Sequence, residues 1–180
     1  MASEHELVVA VFASDKGPGD PERASLMSEF GRVFARKGAR IVCLADAGSV
    51  PVPLIAAARM AGGRVDVLAE ADLLLPPALE GVAVTVLPDR TERLARLTAM
   101  ASVLVGLPGS LASVTALFGA WSVGAGRPVV LLNRHKAYEV VRGFATDVLS
   151  AAMPGHDRKV QFAESVDELW NKVVAIDQRR

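Results

Sequence analysis

The chain has 180 residues, with twenty Lys and Arg balanced by twenty Asp and Glu, three His and one Cys. The balance argues against a broad nucleic-acid or anionic-membrane surface, which needs a basic excess on some face. One thiol excludes an internal disulfide framework and any Cys-rich metal site, and with so few histidines no metal site is expected.

The elements follow in chain order. The opening "MASEHELVVAVFAS" carries acids where a signal peptide has Lys or Arg, and its apolar run is one strand long. No apolar stretch reaches the ~20 residues of a membrane span, so a cytoplasmic protein is expected. The first strand is "LVVAVFA" (Leu7–Ala13). Asp20-Pro21 then gives an N-cap with proline at the first helical position. The helix behind it carries Leu26, Phe30, Val33 and Phe34 and stops at Gly38. "ARIVCLA" (Ala39–Ala45) is the second strand, with Cys43 read as a buried strand cysteine, and "PLIAAARMAGG" the second helix. "RVDVLA" (Arg64–Ala69) and "VAVTVL" (Val82–Leu87) are two further strands, separated by the irregular "AEADLLLPPALEG". "RTERLARLTAMA", with Leu94, Leu97 and Ala101 on one side, is a helix, and "SVLVGL" (Ser102–Leu107) the strand after it.

The next segment, "GLPGSLASVTALFGAW", turns through Pro108-Gly109 into a helix with Val114, Leu117, Phe118 and Trp121 along one side. "PVVLL" (Pro128–Leu132), a helix over "HKAYEVVRGFATDVLSAA", "KVQFA" (Lys159–Ala163) and a last helix over "ESVDELWNKVVAI" complete the chain. Several strands are near-continuous in Val, Ile and Leu, as parallel strands covered on both faces are. The alternation predicts one α/β domain over residues 1–180, a doubly wound Rossmann-like fold with a mostly parallel sheet of about seven strands.

In such a sheet ligands bind beyond the carboxyl ends of the strands, near the point where strand order reverses. Four loops qualify. After the first strand, Ser14, Asp15 and Lys16 stand where a ligand could be reached, with Gly17 and Gly19 for close backbone approach; the loop has neither a Walker A nor a GxGxxG pattern, and reads equally as a surface turn. After the second strand, Gly48 and Ser49 precede Pro51 and Pro53, which remove two amide donors and leave a weakened phosphate binder at best. In the helix after the fourth strand, Arg90, Arg93 and Arg96 recur at every third residue and could clamp a phosphate or carboxylate; a solvated basic face paired with Asp89 and Glu92 explains the same residues. In the fourth loop, Gly109, Ser110 and the residues up to Ser113 point N–H groups at an anion at a helix start, with the Ser113 and Thr115 hydroxyls in the first turn. The plain alternative is a strand–helix turn with Ser113 as N-cap. No GxSxG elbow or triad spacing is present.

At these residues the sequence resembles the LOG family, the lysine decarboxylase-like Rossmann proteins whose hallmark is an Arg-Lys pair on a helix, then a strand, then PGGxGTxxE. Arg93 falls at the family's spacing before Pro108, and "PGSLASVTA" lies in register with the hallmark. "VFASDKGPGDP", "PVVLLN" and "VQFAESVDELWNKV" look like its first loop, last two strands and final helix, so the resemblance covers nearly the whole chain. The functional residues depart from it. The second and third hallmark glycines are Ser110 and Ala112, the threonine is Ser113, the closing glutamate is Ala116, and the lysine beside Arg93 is Leu94. The glycine-rich segment after strand two has become "ADAGSVPVP".

The resemblance implies a nucleotide-type site. Gly109, Ser110 and Ser113 hold a phosphate, with Thr115 in the same turn and Gly48 and Ser49 opposite. Arg93 is the residual catalytic residue and pairs with the phosphate or the ribose, and Ser14, Asp15 and Lys16 border the base. LOG members cleave the N-glycosidic bond of nucleoside 5′-monophosphates, and that chemistry develops positive charge on the ribose which a carboxylate stabilises. With Ala116 in the glutamate's place, the expectation is a protein that binds a phosphorylated ligand with little or no phosphoribohydrolase activity, as the molybdenum-cofactor carriers of this fold do. Two alternatives stand beside it: an active hydrolase with Glu92 or Asp89 as a relocated carboxylate, and an interaction module with a vestigial pocket. No cofactor, nucleic acid or membrane partner is expected. The resemblance also implies a homodimer, with Ala112, Ala116, Gly119 and Ala120 allowing close approach of helices.

Overall fold

A computed structural model describes residues 5–14, 21–46, 49–71, 74, 76–124 and 126–180, residue 78 by its backbone alone. All seven expected strands form: β1 (Val8–Phe12), β2 (Arg40–Ala45), β3 (Val65–Ala69), β4 (Ala83–Val86), β5 (Val103–Gly106), β6 (Val129–Leu132) and β7 (Val160–Ala163). They lie in one sheet of order β4-β3-β2-β1-β5-β6-β7, and every neighbouring pair is parallel.

The long helices are α1 (Pro21–Arg36), α2 (Val52–Met60), α3 (Arg90–Met100) and α4 (Leu111–Val123). They are followed by α5 (Glu139–Phe144), the short α6 (Ser150–Ala152) and α7 (His156–Lys159), and the closing α8 (Val166–Asp177).

The continuous apolar strands have a simple cause. Alternate residues of each strand point to opposite faces, and both faces are covered. Val9, Val11, Ile41, Cys43, Val67, Val103, Val105, Val130 and Leu132 pack with Phe30, Phe34, Leu54, Ile55 and Leu169 in one cluster. Ala10, Phe12, Val42, Leu68, Leu104, Val129 and Leu131 pack with Leu94, Leu97, Leu117 and Tyr138 in the other. Burying each large side chain contributes roughly 1.5–3 kcal/mol, so removing the alternation costs nothing and adds core on both sides. On the first face α1 and α2 approach until a β-carbon on Gly31 would stand 2.3 Å from the Leu54 carbonyl oxygen. The Phe30 and Phe34 rings stack there at 4.0 Å, and Trp170 meets Phe34 edge-on at 5.1 Å.

Two expectations need correction. The helix expected over residues 135–152 is broken into a 3₁₀ turn (Arg134–Lys136), α5, a π-helical stretch (Ala145–Leu149) and α6. Its first turn cannot be α-helical, because His135 and Lys136 lie in the left-handed region at φ 54° and 59°. The helix α4 is also oriented otherwise than the sequence suggests. Ala116 and Ala120 face the sheet and are buried with Leu117, whereas Leu111 is 83% and Phe118 37% exposed. The small residues let α4 lie close against its own sheet beside Leu117, while Leu111, Phe118 and Val123 point out.

The crossover from β3 to β4 carries no α-helix among its described residues. A 3₁₀ turn (Pro77–Leu79) takes that place and buries Leu79, and β4 is left as a mostly exposed edge strand. No helix among the described residues is long and apolar enough to cross a membrane.

Candidate functional site

Strand order reverses between β1 and β5: the chain builds outward from β1 through β4, then returns to the other side of β1. The carboxyl ends of β1, β2 and β5 therefore converge with the start of α4, and a recess of about 420 Å³, open mouth included, lies there. It is lined by Ser14 after β1, Asp46 and Ser49 after β2, Arg90 at the start of α3, and Ala112, Ser113 and Ala116 on α4.

Each lining residue is placed by local chemistry. Asp46 and Ser49 exchange backbone hydrogen bonds of 3.2 and 3.0 Å, and Pro51 caps α2 two residues on. The Ser49 hydroxyl lies 2.8 Å from the hydroxyl of buried Ser14. On the other side, Ser110 caps α4, its hydroxyl accepting from the Ser113 amide at 3.3 Å, and the Ser113 hydroxyl donates back to the Ser110 carbonyl at 2.8 Å. Ser110, not Ser113, is the N-cap. Its φ is −77°, and Ala112 sits inside the helix, so replacing the hallmark glycines at these two positions introduces no left-handed strain. Gly109 is different: a β-carbon there would stand 2.5 Å from the Ser113 hydroxyl oxygen and 3.5 Å from the Ser14 amide. It lets the two loops touch.

Below the turn, buried Tyr138 donates its hydroxyl to the Leu107 carbonyl at 2.6 Å. Burial pushes its phenol well above the usual range, so it stays a protonated donor. Buried Asn133 fixes Tyr138 by accepting from its amide at 2.7 Å.

The arginines of α3 have three separate fates. Arg96 is exposed. Arg93 is 2% exposed, and one terminal amino group donates to the Leu87 and Pro88 carbonyls at 2.6 and 2.7 Å. The other donates to Asp46 Oδ1 at 2.9 Å, and its Nε has no partner among the described residues. Arg90, its side chain 49% exposed, donates from Nε to Asp46 Oδ2 at 3.1 Å. The acid that pairs this helix is thus Asp46, from another loop, and not Asp89 or Glu92. Asp89 is the N-cap of α3, accepting from the Thr91 amide, and Glu92 is exposed and does not line the recess.

The expected site residues therefore divide. Ser14, Ser49, Ser113 and the Gly109–Ser110 turn come together. Arg93 stands behind Asp46 and outside the lining. Thr115 donates to the Leu111 carbonyl on the exposed side of α4. Asp15, Lys16 and Gly48 lie outside the described residues. Sequence reasoning named Arg90 as one of three arginines that could clamp an anion without choosing among them, and it did not single out Asp46 as a lining residue. A polar side chain immediately after β2 was the available signal, since that position borders the switch point in any sheet of this kind. Among the described residues no cluster of His, Cys, Asp and Glu could hold a metal ion.

Known structures share this architecture. The chain matches the Moco carrier protein from Chlamydomonas reinhardtii at TM-score 0.70 with 18% identity, over 98% of this chain and 100% of that one. At that identity the likeness is one of fold. The molybdenum cofactor binding protein of the phototrophic bacterium Rippkaea orientalis matches at 0.71 and 15% identity, over 97% and 99% of the two chains. The structural-genomics protein TM1055 matches at 0.67 and 24% identity, over 95% and 99%. These likenesses to the carrier fold support, at the level of architecture, the resemblance to the LOG family drawn from the residues. No family model and no curated protein matches the chain by sequence.

Proposed function

We propose that this protein is a divergent LOG-like member, one domain over residues 1–180, that binds a small phosphorylated ligand of the nucleoside-monophosphate type at the switch-point recess and turns it over slowly or not at all. The single observation carrying this is the lining of the recess. Hydroxyls (Ser14, Ser49, Ser113), a cation (Arg90) and the capped start of α4 converge there, while Ala116 occupies the place of the family's glutamate. Helix-start amides and a guanidinium suit phosphate. Losing one preorganised electrostatic partner costs a factor of about 100–1000 in rate. A phosphorylated cofactor, held without turnover as carrier proteins hold theirs, is one version of this reading.

One observation favours a second reading, an active phosphoribohydrolase. Asp46 lines the recess beside Ala116, so a carboxylate is available there, though not from Glu92 or Asp89. The outer face of α4 supports a homodimer through Leu111 and Phe118, beside Ala112, while Ala116 and Ala120 face the sheet.

A thermal-shift series with AMP, GMP, CMP, UMP and ribose 5-phosphate tests the binding, because a ligand of the native state raises the melting temperature by mass action. A shift without release of ribose 5-phosphate supports the binding protein. Release that Asp46→Asn abolishes moves the conclusion to the hydrolase, and no shift with any probe leaves a vestigial pocket.

A further inference from the structure

The recess contains an array in which one buried arginine fixes an aspartate and the aspartate fixes a second, outward arginine. Arg93 is immobilised at its far end by two carbonyl oxygens of its own loop. It meets Asp46 Oδ1, and Asp46 Oδ2 in turn accepts from Arg90 Nε. The two carboxylate oxygens are thus divided between the two guanidiniums. Arg90 is held only by Nε; its two terminal amino groups make no hydrogen bond among the described residues, and its side chain lines the recess with Ser113. The array carries one net positive charge, and its half-exposed cation is Arg90.

We infer that Arg90 is the anion-binding residue of this site and that Asp46 is the positioning residue that aims it. This rests on the reading of the recess as a site for a phosphorylated ligand, and it assigns the phosphate to Arg90 in place of Arg93. A guanidinium held at Nε keeps its terminal fork for two parallel bonds to phosphate oxygens. Holding it in place beforehand lowers the side-chain ordering that binding otherwise costs. Arg93 has no such role to offer: its terminal groups are already bonded, and it lies behind Asp46.

The test measures affinities for AMP, ribose 5-phosphate and inorganic phosphate in the full chain, the Arg90→Gln and Arg90→Lys variants, Asp46→Asn, and the double variant Asp46→Asn/Arg90→Gln. Arg90 is half-exposed, so its variants fold. Arg90→Gln is expected to weaken all three probes about ten- to a hundredfold and by a common factor, the range of a charge-assisted hydrogen bond, with Arg90→Lys recovering part of the loss. Asp46→Asn is expected to weaken binding in the wild-type background and to have no further effect once Arg90 is Gln, because an aiming role needs something to aim. Unchanged AMP affinity in Arg90→Gln overturns the assignment while leaving the phosphorylated-ligand site in place. Additive losses in the double variant overturn the aiming role of Asp46. If the wild-type chain binds none of the three probes, the site reading falls and the inference with it.

Discussion

Arg93 donates to Asp46 Oδ1 across 2.9 Å, between residues 47 positions apart. That bond ties the helix after β4 to the loop after β2 and fixes one wall of the recess. Replacing Arg93 with Met removes the buried guanidinium from Asp46 Oδ1 and from the Leu87 and Pro88 carbonyls. Urea unfolding is expected to show a loss of about 3 kcal/mol, the lower end of what breaking a buried pair costs. Arg96→Ala, on the exposed side of the same helix, is expected to change stability by less than about 0.5 kcal/mol. Equal effects of the two substitutions would contradict the placement of Arg93.

Gly31 and Gly143 make a paired prediction with opposite signs. A β-carbon on Gly31 would meet the Leu54 carbonyl at 2.3 Å, whereas one on Gly143 has nothing within 4 Å. Alanine is the better helix former by up to about 1 kcal/mol. At position 31 the clash wins, because α1 and α2 must separate, and the loss is expected to be about 1–3 kcal/mol. At position 143 the propensity wins and alanine stabilises. Denaturation midpoints of the two variants settle both signs.

The outer face of α4 exposes Leu111 and Phe118, with the Phe118 and Trp121 rings 6.4 Å apart. A charge placed in an apolar seam must be buried unpaired or the seam must open. Phe118→Glu is expected to give a monomeric mass by light scattering where the wild-type chain gives a dimer. Ala120→Glu is expected to unfold the protein instead, because Ala120 faces the sheet. A monomeric wild-type chain would remove the seam.

Cys43 is fully buried in β2, and burial, helped by the charge of Asp66, pushes its thiol up to about 12 from a usual 9.0. The unfolded chain releases this proton near 9 while the folded chain keeps it, so folding loses stability as pH rises from about 9 toward 12 and none below that window. A thiol reagent is expected to react at pH 8 only at the rate at which the protein opens, and immediately in denaturant. Fast stoichiometric labelling of the native chain would show the thiol to be reachable.

The seven strands, their order along the chain and the α/β class were legible in the sequence, because a parallel strand with two covered faces needs a continuous apolar run and little else satisfies that need. The caps at Asp89 and Ser110 are local too, each set by a carboxylate or hydroxyl reaching an amide two or three residues on, but the sequence reads with Ser113 as the cap and Asp89 as an arginine partner, because several polar residues near each turn could serve. The broken segment after β6 was not legible. Its residues favour a helix, but the Asn133–Tyr138 bonds and the left-handed His135 and Lys136 hold the turn that supports Leu107. The direction α4 faces was hidden for a related reason: the helix is apolar nearly all round, so periodicity cannot choose a side, and only the room beneath it selects Ala116 and Ala120. Arg90 and Arg93 are alike by spacing and composition. Which of them is buried against carbonyls and which faces the recess is decided by where the loop after β2 delivers Asp46, a contact 47 residues long that no local pattern encodes.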